Sequence, residues 1–282
     1  MKRFILLSFT LFVFHFVLAQ NDSIRVENLL ERGRHEATAP LHLWYAQQLI
    51  GTPYVGQTLE VNKTEQLVVN LRQLDCTTFV ETAIALALTQ QQGSTRYSDY
   101  KHNLTTIRYR EGILDGYPSR NHYFTQWIDS SERLGIVKER EVPTGISATQ
   151  DIDLHYMSQH PDLYPMLKND THAQKRIRDF EQEYEGRKVH YVPHSQLNGA
   201  KSSVLGFVQD GDILAIVTKK EGLDTSHIGF ALWGKDKRLH LLNASQIHKK
   251  VVLEPMSLYQ YMSKHPSQLG VRVIEVKGKS EE

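Results

Sequence analysis

The stretch "DTSHIGFALWGKDKRLHLLNAS", residues 224–245, decides the fold. Two short runs rich in branched and aromatic residues flank Gly234-Lys235-Asp236-Lys237, a turn signal, so the stretch reads as two antiparallel strands joined in a hairpin. Strand alternation puts His227, Gly229 and Ala231 on one face and the apolar Ile228, Phe230 and Leu232 on the other. His227 therefore has small neighbours on its own face, where a helix is expected to approach closely. A loop centred on Lys235 pairs His227 directly with Asn243. Side chains so paired have Cβ atoms about 4.5–5.5 Å apart, close enough for an Asn amide oxygen to accept from an imidazole N–H. A loop with an even number of residues sends Asn243 to the opposite face.

Outward from this hairpin, "GDILAIVTK" (211–219) and "VRVIEVK" (271–277) have the same strand texture. The first part of the chain is helical instead. Residues 23–55 read as two helices, with Val26, Leu29 and Leu30 on one face of the first; Leu41, Trp44, Tyr45, Gln48 and Leu49 are spaced along the second, which Gly51 and Pro53 stop. A third helix begins in "LRQLDCTTFVETAIALAL" (71–88), where Cys76, Val80, Ala83 and Ala87 recur at helical spacing with Phe79, Ile84 and Leu88 alongside, so it is buried over most of its surface. Asp75 is its N-cap and Cys76 its first residue. Residues 90 to about 200 are polar, His-rich and weakly periodic, with helical patches at "YFTQWIDSSERLGIV" and "AQKRIRDFEQEYE"; their topology stays open. Helices first and an antiparallel sheet second make the class α+β. No internal repeat or low-complexity segment interrupts it.

Met1-Lys2-Arg3, the apolar run Phe4–Leu18 and Val17-Leu18-Ala19 before Gln20 form a signal peptide, with cleavage expected after Ala19 and no cysteine following to take a lipid. As a membrane anchor the run is short and lacks a stop-transfer cluster of charges. Residues 20–282 then form one domain, exported and without a stable membrane anchor after cleavage. With 33 Lys plus Arg against 32 Asp plus Glu, no whole-chain field steers the protein to nucleic acid, which is not expected as a partner.

One cysteine in an exported chain has no intramolecular partner, so Cys76 is an apolar filler, an intermolecular bridge or a free thiol with a task. Its place at a helix start favours the task. Unpaired N–H groups and the helix dipole there lower a thiol pKa, and the same N–H groups can hold the oxyanion of an acyl intermediate. Such a nucleophile needs a base and a third group to hold the base's tautomer, and among the fourteen histidines the hairpin singles out His227, with Asn243 as the orienting residue.

"GTPYVG" (51–56), "LDCTTFVE" (74–81), "GDIL" (211–214), "HIGFAL" (227–232) and "LLNAS" (241–245), in this order, resemble the NlpC/P60 papain-like peptidoglycan hydrolases. The resemblance implies Cys76 as nucleophile, His227 as base and Asn243 as the third polar residue, a position often occupied by His in that family. It also implies that Tyr54 lies near the nucleophile. The 151 residues from Cys76 to His227 exceed a minimal NlpC/P60 domain, so a large, mainly helical insertion at about 90–205 is expected between nucleophile and base. "DGYPSRNHYFTQWI" (115–128) with "GLDTSHIGFA" resembles the DUF1460 branch, whose members act as N-acetylmuramoyl-L-alanine amidases. In that branch the inserted segment shapes the substrate site, making Arg120 and His122 candidates to meet a carboxylate or a sugar oxygen. The implied substrate is a muropeptide in the periplasm, and no cofactor is implied.

Three other readings compete. Zinc ligation would have to begin from His190 and His194, but Pro193 between them spoils a helical pair and no HExxH motif occurs. A wall-binding module without activity has no need of Cys76, His227 and Asn243 together. An endopeptidase of the same family, cutting L-Ala to D-Glu or D-Glu to diaminopimelate, uses the same Cys/His chemistry and stays open.

Overall fold

The computed structural model describes residues 22–38 and 40–277; the expected signal peptide and cleavage site lie outside the described residues. Residues 22–36 form helix α1, followed by α2 (Leu41–Gln48). α3 (Cys76–Gln91) and α4 (Tyr97–Arg108) come next, then α5 (Phe124–Arg133). The following segment holds the strands β1 (Val137–Glu139) and β2 (Ala148–Asp151), the helices α6 (Tyr156–Gln159) and α7 (Thr171–Gln182), and β3 (Lys188–Pro193). β4 (Ile213–Thr218), β5 (Thr225–Trp233), β6 (Leu239–Ser245) and β7 (Lys250–Leu253) run as a meander, and α8 (Leu258–Ser263) leads to β8 (Gln268–Val276).

The sheet is antiparallel throughout, in the order β2-β3-β8-β4-β5-β6-β7, with β1 also paired to β8. The α+β class holds. Residues 90–205 are less purely helical than expected, since they supply β1, β2 and β3 to this sheet. Those strands are short and half-exposed, so their alternation is too brief to register in the sequence. β7 was also missed, for the same reason.

Alternation along β4 and β5 divides the interior in two. Ile213, Ala215, Ile228 and Phe230 face the helices and pack with Phe79, Val80 and Ala83 of α3, while Leu214, Ile216 and Ala231 face a second core containing Leu241, Val271 and Tyr261. Phe79 meets Phe230 edge to face at 5.6 Å between centroids. The expected approach of a helix on the His227/Gly229/Ala231 face is therefore reversed: α3 packs on the apolar face, because burying Phe79 against Ile228 and Phe230 removes far more surface from water than contact with two small residues. A third core joins Tyr117, Tyr123, Ile177 and Tyr184 with the partly buried Leu223 of the β4–β5 loop. It ties the segment after α4 to the start of β5.

The start of α3 is fixed by a capping box. Asp75 Oδ1 accepts from the Thr78 N–H at 2.8 Å, and the Asp75 N–H donates to Thr78 Oγ1 at 2.9 Å. Cys76 thereby becomes the first helical residue, as the sequence predicts.

Candidate active site

Three chain segments meet at one cleft: the first turn of α3 with Cys76 and Thr77, the start of α5 with residues Asn121 to Trp127, and Leu223–Ile228 leading into β5. The cleft holds about 150 Å³. Ser226 is bulged out of the β4–β5 ladder, where pairing passes from Ile216↔His227 to Val217↔Thr225. A bulge bends its strand and re-aims side chains. Here it stands immediately before His227, which lines the cleft beside Cys76 although the rest of its face looks to the second core.

His227 Nε2 lies 2.9 Å from Asn243 Oδ1. Asn243 is buried, and its Nδ2 donates to the carbonyls of Leu241 at 3.2 Å and Val252 at 3.5 Å. These carbonyls can only accept, so the amide nitrogen must face them and the oxygen must face the ring. His227 then carries its proton on Nε2, and Nδ1 is left with a lone pair for the cleft. The pairing differs from a direct cross-strand pair. The observed register is Phe230↔Leu242 and Trp233↔Leu239, a loop centred on Asp236 with Lys237 at positive φ (61°) and closed by Gly234 N–H to the Arg238 carbonyl at 2.8 Å. That is a slip of two from the expected register, which preserves the face and changes the partner. Asn243 sits against Gly229 and reaches His227 diagonally; a Cβ on Gly229 would lie 2.6 Å from the Leu242 carbonyl oxygen and 2.9 Å from Asn243 Cβ. Glycine is required there by contact, not by φ.

The electrostatics overturn one expectation. Cys76 is half-buried as a residue, but burial around the sulfur pushes its thiol up to about 12, and the Asp75 carboxylate adds to the rise. Hydrogen bonds from the Ile228 backbone and from the backbone and hydroxyl of Thr77 oppose it without prevailing. The dipole at the helix start is thus outweighed by desolvation and by the carboxylate that caps the same helix. His227 is lowered by burial, against the raising effects of Asn243 and Asp75, with His265 adding to the lowering. Burial thus works against the charged form of both groups.

Tyr54 lies within electrostatic reach of Cys76: burial first, then the sulfur and Asp75, raise its phenol to about 12. It does not line the cleft itself. His122 does line it. Its Nε2 donates to the Tyr117 carbonyl at 2.9 Å, and burial, aided by the neighbouring Arg120 charge, pushes the ring down to about 3. Arg120 does not reach the cleft, in contrast to its expected meeting with substrate. Its guanidinium is buried between Glu60 (2.6 Å) and Glu65 (2.5 Å), and lies 4.9 Å from the Tyr117 ring centroid. With its Nε and both Nη atoms bonded to these two buried carboxylates, Arg120 is held away from the cleft and pins the 57–70 loop to the cleft wall. His190 and His194 belong to separate networks, with Ser147 at 3.3 Å and the Tyr259 carbonyl at 2.9 Å respectively.

Sequence reasoning missed Asp224. Its Oδ2 accepts from the Thr125 N–H at 2.6 Å and so caps α5, whose own N-cap Tyr123 makes no side-chain cap. The partners are 99 residues apart, beyond the range of any local capping signal.

A family model described as AmiA-like, N-acetylmuramoyl-L-alanine amidase-like, matches residues 45–271. The chain belongs to this amidase-like family. The match runs from α2 into β8 and so contains Cys76, His227 and Asn243. Among solved structures, an N-acetylmuramoyl-L-alanine amidase from Bacteroides uniformis is 36% identical with a TM-score of 0.78, covering 84% of this chain and 98% of that one. A protein from Bacteroides fragilis, described as a candidate xylanase, is 40% identical with a TM-score of 0.76, covering 83% of this chain and 100% of its own. A DUF1460 protein from Legionella pneumophila, 22% identical with a TM-score of 0.71 over 93% of this chain and 96% of its own, shares the fold. No curated protein matches. The amidase-like family places the chain among the hydrolases.

Proposed function

We propose that the protein is a cysteine-dependent N-acetylmuramoyl-L-alanine amidase with a papain-like NlpC/P60 core, cleaving muropeptides after export to the periplasm. The observation that carries the reading is the His227–Asn243 hydrogen bond, which holds the imidazole with Nδ1 free at the cleft that Cys76 lines. His227 Nδ1 takes the Cys76 proton as the sulfur attacks the lactyl carbonyl. Of the first-turn N–H groups, those of Thr78 and Phe79 donate to Asp75 and that of Thr77 to the sulfur, so the oxyanion meets the Cys76 N–H. His227 then protonates the L-Ala nitrogen and the peptide leaves. Water, losing a proton to His227, cleaves the thioester and releases the muramic acid and the thiol.

The small cleft supports short soluble fragments as substrates over intact, cross-linked wall. An endopeptidase cutting after D-Glu must seat a carboxylate-bearing acyl group, whereas no Lys or Arg stands among the cleft-lining residues, and this favours the uncharged lactyl sugar. Glycoside hydrolysis needs two carboxyl groups flanking the bond. Asp224 is the one carboxylate on the lining and is occupied with capping α5. The test is mass spectrometry of products from MurNAc-tripeptide. Free muramic acid plus intact tripeptide is expected; MurNAc-L-Ala or MurNAc-dipeptide transfers the activity to an endopeptidase of the same fold. Sensitivity to thiol alkylation is expected, and loss of activity to a chelator instead supports zinc.

A further inference from the structure

Among the described residues, twelve buried side-chain polar atoms have no hydrogen-bond partner, and three of them are carried by residues that line this one cleft: Asn121 Oδ1, Trp127 Nε1 and Thr225 Oγ1. Asn121 and Trp127 are 6% and 1% exposed. A buried polar atom without a partner costs stability unless something else satisfies it. Their chemistry is complementary in kind. The Asn121 Nδ2 is committed to the Ile107 carbonyl at 3.2 Å, which turns Oδ1 away as a pure acceptor. Trp127 Nε1 is a pure donor, its ring held by stacking on Phe124 at 4.9 Å. Thr225 Oγ1 can serve either way. One acceptor and one donor on residues that line the same cleft match a secondary amide, which offers one N–H and one carbonyl.

Two sources could supply that amide, the 2-acetamido group of the sugar or a peptide bond of the stem. The cleft wall has no cation, and His122, with Nε2 given to Tyr117, presents a second acceptor. Acceptors without cations suit a hydroxylated, uncharged sugar better than a stem carrying the D-Glu carboxylate. We propose that Asn121, Trp127 and Thr225 form a subsite for the acetamido group of the amino sugar on the acyl side of the scissile bond. Asn121 Oδ1 takes the acetamido N–H, Trp127 Nε1 donates to its carbonyl, and Thr225 Oγ1 bonds an adjacent hydroxyl. Because these atoms have almost no free surface, the wall must yield slightly as the sugar seats. The subsite rests on the amidase reading for its substrate, but sugar binding can be measured without turnover.

The test pairs enzyme variants with substrate variants. Wild type should process MurNAc-tripeptide about tenfold to a hundredfold better in kcat/KM than the analogue bearing a hydroxyl in place of the acetamido group. Asn121→Ala and Trp127→Phe should lose most of that preference, whereas Thr225→Val, which removes only an unpartnered hydroxyl from a β-branched side chain, should raise KM several-fold at unchanged melting temperature. In Cys76→Ala protein, N-acetylmuramic acid should shift the Trp127 indole N–H resonance, and the hydroxyl analogue should not. Equal losses on both substrates in all three variants overturn the subsite in favour of a structural role. A preference that instead follows N-methylation of the first peptide bond assigns the amide to the stem and overturns the sugar. If wild type hydrolyses nothing, the amidase reading fails, and the indole shift alone decides the subsite.

Discussion

At the scale of single residues, the raised thiol and lowered imidazole have a consequence for reactivity. A thiol pushed up to about 12 stays protonated through the physiological range, so attack requires proton transfer to His227 within the encounter with substrate. Alkylation of Cys76 by iodoacetamide in the free enzyme should accelerate steadily as pH rises and show no plateau below pH 9; a plateau near neutrality would mean a preformed thiolate–imidazolium pair. The acid limb of kcat/KM should lie below the ordinary histidine value of 6.5, because burial lowers His227 and the base stays neutral further into acid. Cys76→Ala should abolish hydrolysis with the fold retained, His227→Ala should come close to it, and Asn243→Ala should cost about ten- to a hundredfold, since it orients the base without touching the reacting atoms. Calorimetry alongside the assay separates these losses from unfolding.

At the scale of elements, the site is built from loops clamped to regular structure. Gly229 sets the spacing of β5 and β6: Gly229→Ala drives a methyl into the Leu242 carbonyl and Asn243, and should lower stability by about 1–3 kcal/mol while reducing kcat through the displaced Asn243. An alanine variant with full activity would show that the His227–Asn243 geometry is not tied to this contact. Arg120 is the other clamp. Arg120→Met strands the Glu60 and Glu65 carboxylates in a nearly dry site and should cost about 3–5 kcal/mol in a denaturant titration, with Glu65→Gln added to it restoring part of the loss. The helical patches at α5 and α7 were legible from their periodicity. Their placement was not, because α5 is capped by Asp224 from across the cleft and β1 to β3 find their partners in β8 and in each other.

At the scale of the whole molecule, buried histidine links stability to pH. His42, 7% exposed and donating to the Gly211 carbonyl at 2.9 Å, is pushed by burial to about 4. The unfolded chain takes up a proton near 6.5 and the folded chain does not until about 4, so this contribution is whole above 6.5 and lost as pH falls through that window. It amounts to roughly 3 kcal/mol. The melting temperature of His42→Gln should therefore depend less on pH between 6.5 and 4 than that of the wild type, and parallel curves would contradict the linkage. The sequence by itself determined the parts whose causes are local: Asp75 capping α3 with Cys76 at its first position, the strand texture after residue 210, and the shared face of His227 and Asn243, which survives any even slip in register. Tertiary structure alone decided the remainder. Which face of β5 receives α3, the diagonal reach of Asn243 past Gly229, the capture of Arg120 by Glu60 and Glu65, and a thiol raised where the helix start had suggested lowering all depend on surfaces brought together from distant segments, where desolvation and close contact outweigh local propensity.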